Sequence, residues 1–388
     1  MSSKRIIKAA VIGTGFIGPA HIEALRRIGG VEVIAVTSGS AEGAKIIAQK
    51  YSIPKVYNTW HEIIDDKEVE VIHNCTPNYL HFEINKAAIE AGKHIISEKP
   101  LTISSAESDE LVKLAESKKI VNAINFNYRF YPLIQHAKQM IEKDEAGKIY
   151  MVHGNYLQDW LYYDTDYNWR LESKLSGSSR AIADIGSHWC DLIQFLTGKK
   201  IKKVFANLLT VHQNRKKPRT SVDTFKGKEE SFSDYEEVSI DTEDAGSVLI
   251  ELEGGIHGVF TVSQISAGRK NHFWFEIDGS KKALSWNQEE PNQLWVGHRE
   301  KGNEIIIKDP SLLYEEARKY AHYPGGHPEG YPDGPKNLFM NVYDFIRSGK
   351  DPANDKKDFP SFADGHYENL IVEAIIESNK SKKWIDIL

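Results

Sequence analysis

The chain has 388 residues, 40% of them hydrophobic and 27% charged, with 49 basic against 55 acidic side chains. These are globular values for a chain long enough for two or three cores at roughly 150 residues each, and the net charge of −6 speaks against a nucleic-acid surface or an acidic membrane as partner. No apolar run approaches the roughly 18 residues a membrane span needs, and "MSSKR" passes straight into "IIKAAVIG" without a signal-like segment, so the expectation is a cytoplasmic protein.

Short apolar runs alternate with helical patterns through the first third. "KAAVIG" (8–13), "VEVIAV" (31–36), "VEVIHNC" (69–75), "KHIISEKP" (93–100) and "IVNAINF" (120–126) read as strands. Between them, "GPAHIEALRRI", "SAEGAKIIAQKY", "YLHFEINKAAIEAG" and "SAESDELVKLAESKK" space their apolar residues three and four apart, the period of an amphipathic helix. Strand, helix, strand in series predicts an α/β domain over 1–126, a parallel sheet with right-handed crossovers.

After residue 126 the pattern changes. A helix at "PLIQHAKQMIEK" precedes a strand at "IYMVHGNYLQDW", a loop, a helix within "AIADIGSHWCDL", and then mostly strands at "VFANLLTVH", "GSVLIELEGGIHGVFTVSQIS", "HFWFEIDGS" and "KALSWNQ". Glu253-Gly254-Gly255 predicts a hairpin turn. Residues 127–388 are therefore expected to form an α+β domain on an open, mostly antiparallel sheet. The polar stretch 213–237 reads as a surface excursion between two sheet strands, with a separate interaction segment as the alternative. "YPGGHPEGYPDGPKN" (323–337) reads as a rigid loop and "ENLIVEAIIESNKSKKW" (368–384) as a helix. Cys75 and Cys190 both lie in apolar runs, which reads as buried thiols rather than a bridge or a metal site and suits a reducing compartment.

Four stretches carry candidate chemistry. "VIGTGFIG" places Gly13, Gly15 and Gly18 as G-x-G-x-x-G after a strand and, with Phe16 and Ile17, at the opening of a helix, where N–H groups can receive a dinucleotide's pyrophosphate. The second strand would normally end in an acidic residue for the adenosine ribose. Here Thr37-Ser38-Gly39-Ser40 stands instead, with Lys45 the nearest cation. Hydroxyls serve NAD or NADP, and the reading leans to NAD. "NCTPNYLH" (74–81) follows a strand, so Thr76, Pro77, Asn78 and His81 fall at the ligand crevice. Thr76 and Asn78 are read as hydrogen-bonding the cofactor, against the alternative of a simple Pro77 turn. "SEKPL" puts Glu98 and Lys99 at the same crevice, where partial burial and the oxidised nicotinamide's charge would suit Lys99 to accept a hydroxyl proton.

"AIADIGSHWCDL" (181–192) sets Asp184, His188 and Asp191 into an otherwise apolar stretch. A helix starting near Gly186 would put Ile185, Trp189, Leu192 and Leu196 on one stripe and Asp184, His188, Asp191 and Phe195 on another. Asp184 then reads either as an N-cap or as the carboxylate that orients the His188 imidazole for proton transfer.

Taken together, "GTGFIG", "EKP", "NYRF" and "DIGSHWCDL" resemble the glucose-fructose oxidoreductase / inositol dehydrogenase / rhizopine-catabolism family, Gfo/Idh/MocA. The resemblance implies an N-terminal Rossmann domain, a C-terminal sheet that joins homodimers or homotetramers, and a catalytic trio matching Lys99, Asp184 and His188. Further blocks, "QDW", "YNWR" (167–170), "SAGRKN" and "GGHPEGYPD", are similar to members that oxidise carbohydrate rings, such as levoglucosan dehydrogenase and glucoside 3-dehydrogenases. In a sugar pocket Trp160 and Trp169 offer apolar faces, and Arg129, Asn168, Arg170 and His327 offer hydroxyl partners. The expected activity is hydride transfer from a ring hydroxyl of a sugar, glycoside or anhydrosugar to nicotinamide C4 in the crevice between the domains. A cyclitol dehydrogenase and a cofactor-binding sensor without turnover are the alternatives.

Overall fold

The computed structural model describes residues 5–219 and 234–387, and the chain divides into two compact units. One comprises the chain up to Asn127 together with Pro332–Asn369; the other comprises Tyr128–Tyr331 and the chain from Leu370 onward.

In the first unit β1 (Ile7–Ile12), β2 (Val31–Thr37), β3 (Lys55–Val56), β4 (Val71–Asn74), β5 (His94–Ser97) and β6 (Asn122–Ile124) form one parallel sheet in the order β3-β2-β1-β4-β5-β6. This is the doubly wound Rossmann order, whose ligand crevice opens where the order reverses, between β1 and β4. Helices α1 (Ile17–Ile28), α2 (Ala41–Lys50), α3 (Trp60–Asp65), α4 (His81–Glu90) and α5 (Ser105–Ser117) connect the strands. With helices over both faces, β4 is buried at every position, which is why it reads as an apolar run without alternation. Strand β3 has only two residues, too few to show any period in the sequence.

In the second unit α6 (Pro132–Glu142) leads into a sheet of β7 (Ile149–Leu157), β8 (Ile201–Leu209), β11 (Ala245–Leu252), β12 (Ile256–Ser263), β13 (His272–Gly279), β14 (Ala283–Asn287), β15 (Gln293–Gly297), β16 (Glu304–Ile307) and β17 (Ile385–Asp386). Their order is β16-β15-β14-β13-β7-β12-β11-β8-β17, antiparallel throughout except for the parallel pair β7 and β12. Burial alternates along β11 and β13, so one face is packed and the other is open. Helix α7 (Ser187–Thr197) covers the packed face, where Trp189 stacks on Phe260 at 4.7 Å between ring centroids and donates its indole N–H to the Trp274 carbonyl. Gly254 and Gly255, both at positive φ, turn β11 into β12 as expected.

Around the expected excursion at 213–237, β9 (Asn214–Pro218) and β10 (Tyr235–Ser239) pair with each other as a separate two-stranded ribbon, and the intervening 220–233 lie outside the described residues. The expected loop at 323–337 ends early, because α8 (Asp333–Ser348) starts inside it. Pro335 falls in the first turn, where helix N–H groups have no intrahelical acceptor and proline costs nothing. Nor does everything after residue 126 belong to the second domain. Helix α8 packs on the first unit: Arg27 pairs with Asp333, Arg347 donates to the carbonyls of Gly29 and Gly30, and the His73 imidazole meets the Tyr343 hydroxyl. Helix α9 (Phe362–Ser381) then carries the chain back to the second unit. No described helix is long and apolar enough to cross a membrane. Both cysteines are buried free thiols.

Candidate active site

The glycine loop divides its labour by position. Gly13 turns the chain at φ +97, and a Cβ there would lie 2.5 Å from the Cys75 carbonyl oxygen; at Gly18 it would lie 2.2 Å from the Gly13 carbonyl oxygen. Both must be bare for α1 to sit against β1 and β4. At Gly15 a Cβ would meet nothing within 4 Å, so the protein's own packing does not demand glycine there. An approaching pyrophosphate does. Helix α1 begins at this point with no side-chain cap and no acidic residue in its first turn, an arrangement suited to a phosphate. Phe16 is exposed and Ile17 half-buried beside it. These residues fit a dinucleotide.

Thr37 is buried at the end of β2 and its carbonyl accepts the Gly13 N–H at 2.9 Å, so its backbone shapes the loop. Ser38 is half-buried, and Ser40 caps α2 by accepting the Gly43 N–H. After β4, Thr76 donates its hydroxyl to Asn74 Oδ1 at 2.7 Å, while Pro77 and Asn78 are half-buried. His81 is fully buried with its ring nitrogens on the carbonyls of Thr76 (2.9 Å) and Pro100 (2.7 Å). It therefore ties the loop after β4 to the loop after β5.

Glu98 and Lys99 close β5, and the Lys99–Pro100 peptide is cis. The Glu98 carboxylate accepts from His21 Nε2 (2.9 Å), from Asn125 Nδ2 and from the Lys99 N–H (3.3 Å). Behind it, His21 Nδ1 meets His73 Nδ1 at 2.9 Å and His73 Nε2 meets the Tyr343 hydroxyl at 3.0 Å. Burial holds His73 well below the ordinary imidazole range, hence neutral. A neutral imidazole carries one N–H, so His73 donates to one of His21 and Tyr343 and accepts from the other.

In the second unit Asp184 is not an N-cap. It lies inside a π-helical turn (Ile182–Gly186) that runs directly into α7, and the start of this turn is satisfied instead by Glu243, whose carboxylate accepts the N–H groups of Arg180 and Ile182. The Asp184 carboxylate accepts from Gln264 Nε2 at 2.8 Å and lies 3.6 Å from Arg170 Nε. Arg170 lies over the Trp169 ring at 4.5 Å, and its Nη1 reaches Asn168 Oδ1 at 3.3 Å. The fold thus brings "YNWR" and "DIGSHW" to one place. His188 is buried edge-on against Tyr128, with ring centroids 4.9 Å apart. Tyr128 donates to the Tyr156 hydroxyl (2.7 Å), Tyr156 to Asn271 Oδ1 (2.7 Å), and Asn271 Nδ2 back to Tyr128 (3.2 Å), a closed ring of bonds. Burial pushes the Tyr128 phenol up to about 12 and raises Tyr156 well above its ordinary value, so both keep their protons.

Other expected residues have structural partners. Arg129 directs Nε and Nη2 at Asp191, an ion pair of which both members are nearly inaccessible. Trp160 joins a small cluster with Leu161, Leu171 and Ile240 and donates to Gln158. His327 is exposed, its Nδ1 on the Gly325 carbonyl. The sequence reading did not single out His21, His73, Tyr343, Tyr128, Tyr156, Asn271 or Gln264. Only Tyr128 and Asn271 stood inside flagged blocks, "NYRF" and "SAGRKN".

Residues 7–126 match the oxidoreductase family with an NAD-binding Rossmann fold, GFO_IDH_MocA, and residues 134–285 match the GFO/IDH/MocA C-terminal domain. The chain belongs to the Gfo/Idh/MocA oxidoreductase family. Levoglucosan dehydrogenase of Pseudarthrobacter phenanthrenivorans is 29% identical to this Gfo/Idh/MocA oxidoreductase over 98% of both chains. Glucose-6-phosphate 3-dehydrogenase of Bacillus subtilis is 23% identical, again over 98% of each. A solved levoglucosan dehydrogenase in complex with NADH and L-sorbose superposes with a TM-score of 0.88 at 29% identity, covering 98% of this chain and 99% of the other. The Rossmann expectation and the open, mostly antiparallel second sheet both hold.

Proposed function

We propose that this protein is a dehydrogenase that oxidises a ring hydroxyl of a sugar, glycoside or anhydrosugar to a keto-sugar, with NAD as the hydride acceptor. The observation that carries the reading is Arg170 set beside the Asp184 carboxylate, with Trp169 and Asn168 packed against its guanidinium, in a family member that carries Lys99 and His188. An aromatic face with charged and amide donors beside it is the chemistry that holds a polyhydroxylated ring. When bound, the cofactor supplies nicotinamide C4 as the hydride acceptor. Gly13, Gly15 and Gly18 receive its pyrophosphate; Ser38, Thr76 and Asn78 offer hydroxyl and amide groups to its riboses. One of Lys99 and His188 takes the hydroxyl proton while the other polarises the hydroxyl, with Asp184 as the carboxylate that orients the histidine. Arg129 is read as a structural partner of Asp191 rather than a substrate donor. We read the protein as a cytoplasmic homo-oligomer joined through its nine-stranded sheet, where Leu249, Ile305 and Ile307 are exposed.

The test is the absorbance of reduced nicotinamide when purified protein with NAD or NADP meets levoglucosan, glucosides, free hexoses and inositols. Turnover of an anhydrosugar, glycoside or hexose supports the reading. Oxidation of inositols alone moves the assignment to a cyclitol dehydrogenase, and cofactor binding without turnover moves it to a sensor.

A further inference from the structure

Asp184 is held from behind by a fully buried array. Arg180 and Arg215 both donate to Asp244 Oδ1, and Asp244 Oδ2 accepts the N–H groups of Val211 (2.7 Å) and His212 (3.0 Å). Burial pushes the Asp244 carboxyl up, but the two guanidinium groups and these N–H bonds bring it below the ordinary range, so it stays charged and anchors Arg180. Arg180 Nη1 then donates to Gln264 Oε1 at 2.9 Å, and Gln264 Nε2 donates to Asp184 Oδ2 at 2.8 Å. Gln264 is wholly inaccessible, and its backbone is fixed at both ends, N–H to Asp244 and carbonyl to Leu161.

A guanidinium can only donate. The end of the Gln264 amide that faces Arg180 must therefore be its oxygen, and the end that faces Asp184 must be its NH₂. Turning the amide over would set donor against donor at one end and acceptor against acceptor at the other. We propose that Gln264 is a positioning residue, oriented by Arg180, that presents a permanent donor to Asp184 and so holds this carboxylate charged, with its second oxygen toward Arg170. The proposal rests on the reading of Asp184 as part of the proton-transfer set.

Gln264→Glu tests it, because the introduced carboxylate keeps an acceptor for Arg180 and sets an oxygen against Asp184. Two carboxylates at this distance retain a proton, so the acid limb of the turnover profile moves up by about one pH unit or more, with activity recovering at higher pH. Gln264→Met, which removes the donor without adding charge, lowers kcat about tenfold at every pH with little change in KM. A second readout needs no substrate. The folded pair binds a proton more tightly than the unfolded chain, so the melting temperature of Gln264→Glu falls relative to wild type as pH rises from about 5 to 8, and adding Asp184→Asn abolishes the fall. A Gln264→Glu melting profile parallel to wild type overturns the proposal, as does an unmoved acid limb in a variant whose melting has shifted. If wild-type protein turns over none of the sugars while the melting arm responds, the coupling of Gln264 to Asp184 stands and the dehydrogenase reading is what falls.

Discussion

Lys99 and His188 carry the proton chemistry in the proposed reaction, and the residues around each differ in kind. Around Lys99 the neighbours are charged: Glu98 accepts the Lys99 backbone N–H and is itself fixed by His21 and Asn125. Against His188 pack the rings of Tyr128 and Tyr156, two phenols that keep their protons. Positioned proton transfer is typically worth about 10²–10⁴-fold, so Lys99→Ala and His188→Ala should each lower kcat by that order while NADH binding, followed by fluorescence, is largely kept. Near-wild-type turnover in both variants would remove these residues from the mechanism. Glu98 offers a separate check. Burial pushes its carboxyl up, but the His21 bond and charge, with Lys99 and Asn125, bring it from 4.5 down to about 2. A carboxyl lower in the folded than in the unfolded chain stabilises above its unfolded value, and this contribution is lost as pH falls from about 4.5 toward 2. Glu98→Gln should lower the melting temperature at neutral pH and lessen its dependence on pH below 5, as read by calorimetry.

At the scale of elements, the glycine loop separates packing from binding. Gly18→Ala puts a methyl 2.2 Å from the Gly13 carbonyl oxygen, so α1 must move and stability should fall by about 1–3 kcal/mol. Gly15→Ala meets open space and should melt like wild type, yet bind NADH at least tenfold more weakly by titration. Equal cofactor affinity in Gly15→Ala would place the pyrophosphate elsewhere. The same contrast shows what a sequence can reveal. The parallel strands and the glycine loop were legible because local period and local turn chemistry encode them. Asp184 was legible as a polar residue in an apolar helix, but its place inside a π-turn was not, since Glu243, far along the chain, satisfies the helix start. Gln264 and Tyr343 were invisible for a related reason: each owes its partners to a strand end or helix that meets the site only after folding. Helix α8 was misread because Pro335 and its glycine neighbours look like a loop unless the first helical turn is known to tolerate them.

For the molecule as a whole, the decisive feature is that the first unit is closed by a segment from the far end of the chain. Phe339 of α8 is fully buried against the rings of His21 (4.7 Å) and His73 (4.8 Å), and Tyr343 completes the bond chain to Glu98. Phe339→Ala should cost about 3–5 kcal/mol, measured by denaturant unfolding. A fragment ending at Asn127 should lack a cooperative melt by circular dichroism, and tethering residues 332–369 to it through a flexible linker should restore one. A cooperative melt of the short fragment would show that α8 is dispensable.

That return of the chain also sets a schedule for synthesis. A ribosome that has released Asn127 must add about two hundred more residues before α8 is available, roughly 10–40 s at ordinary elongation rates. Throughout that interval the nascent Rossmann sheet has its strands but not its last helix, with the apolar side of α1 and the two imidazoles of His21 and His73 uncovered. The dinucleotide site is thus among the first parts of the protein to be made and among the last to be finished.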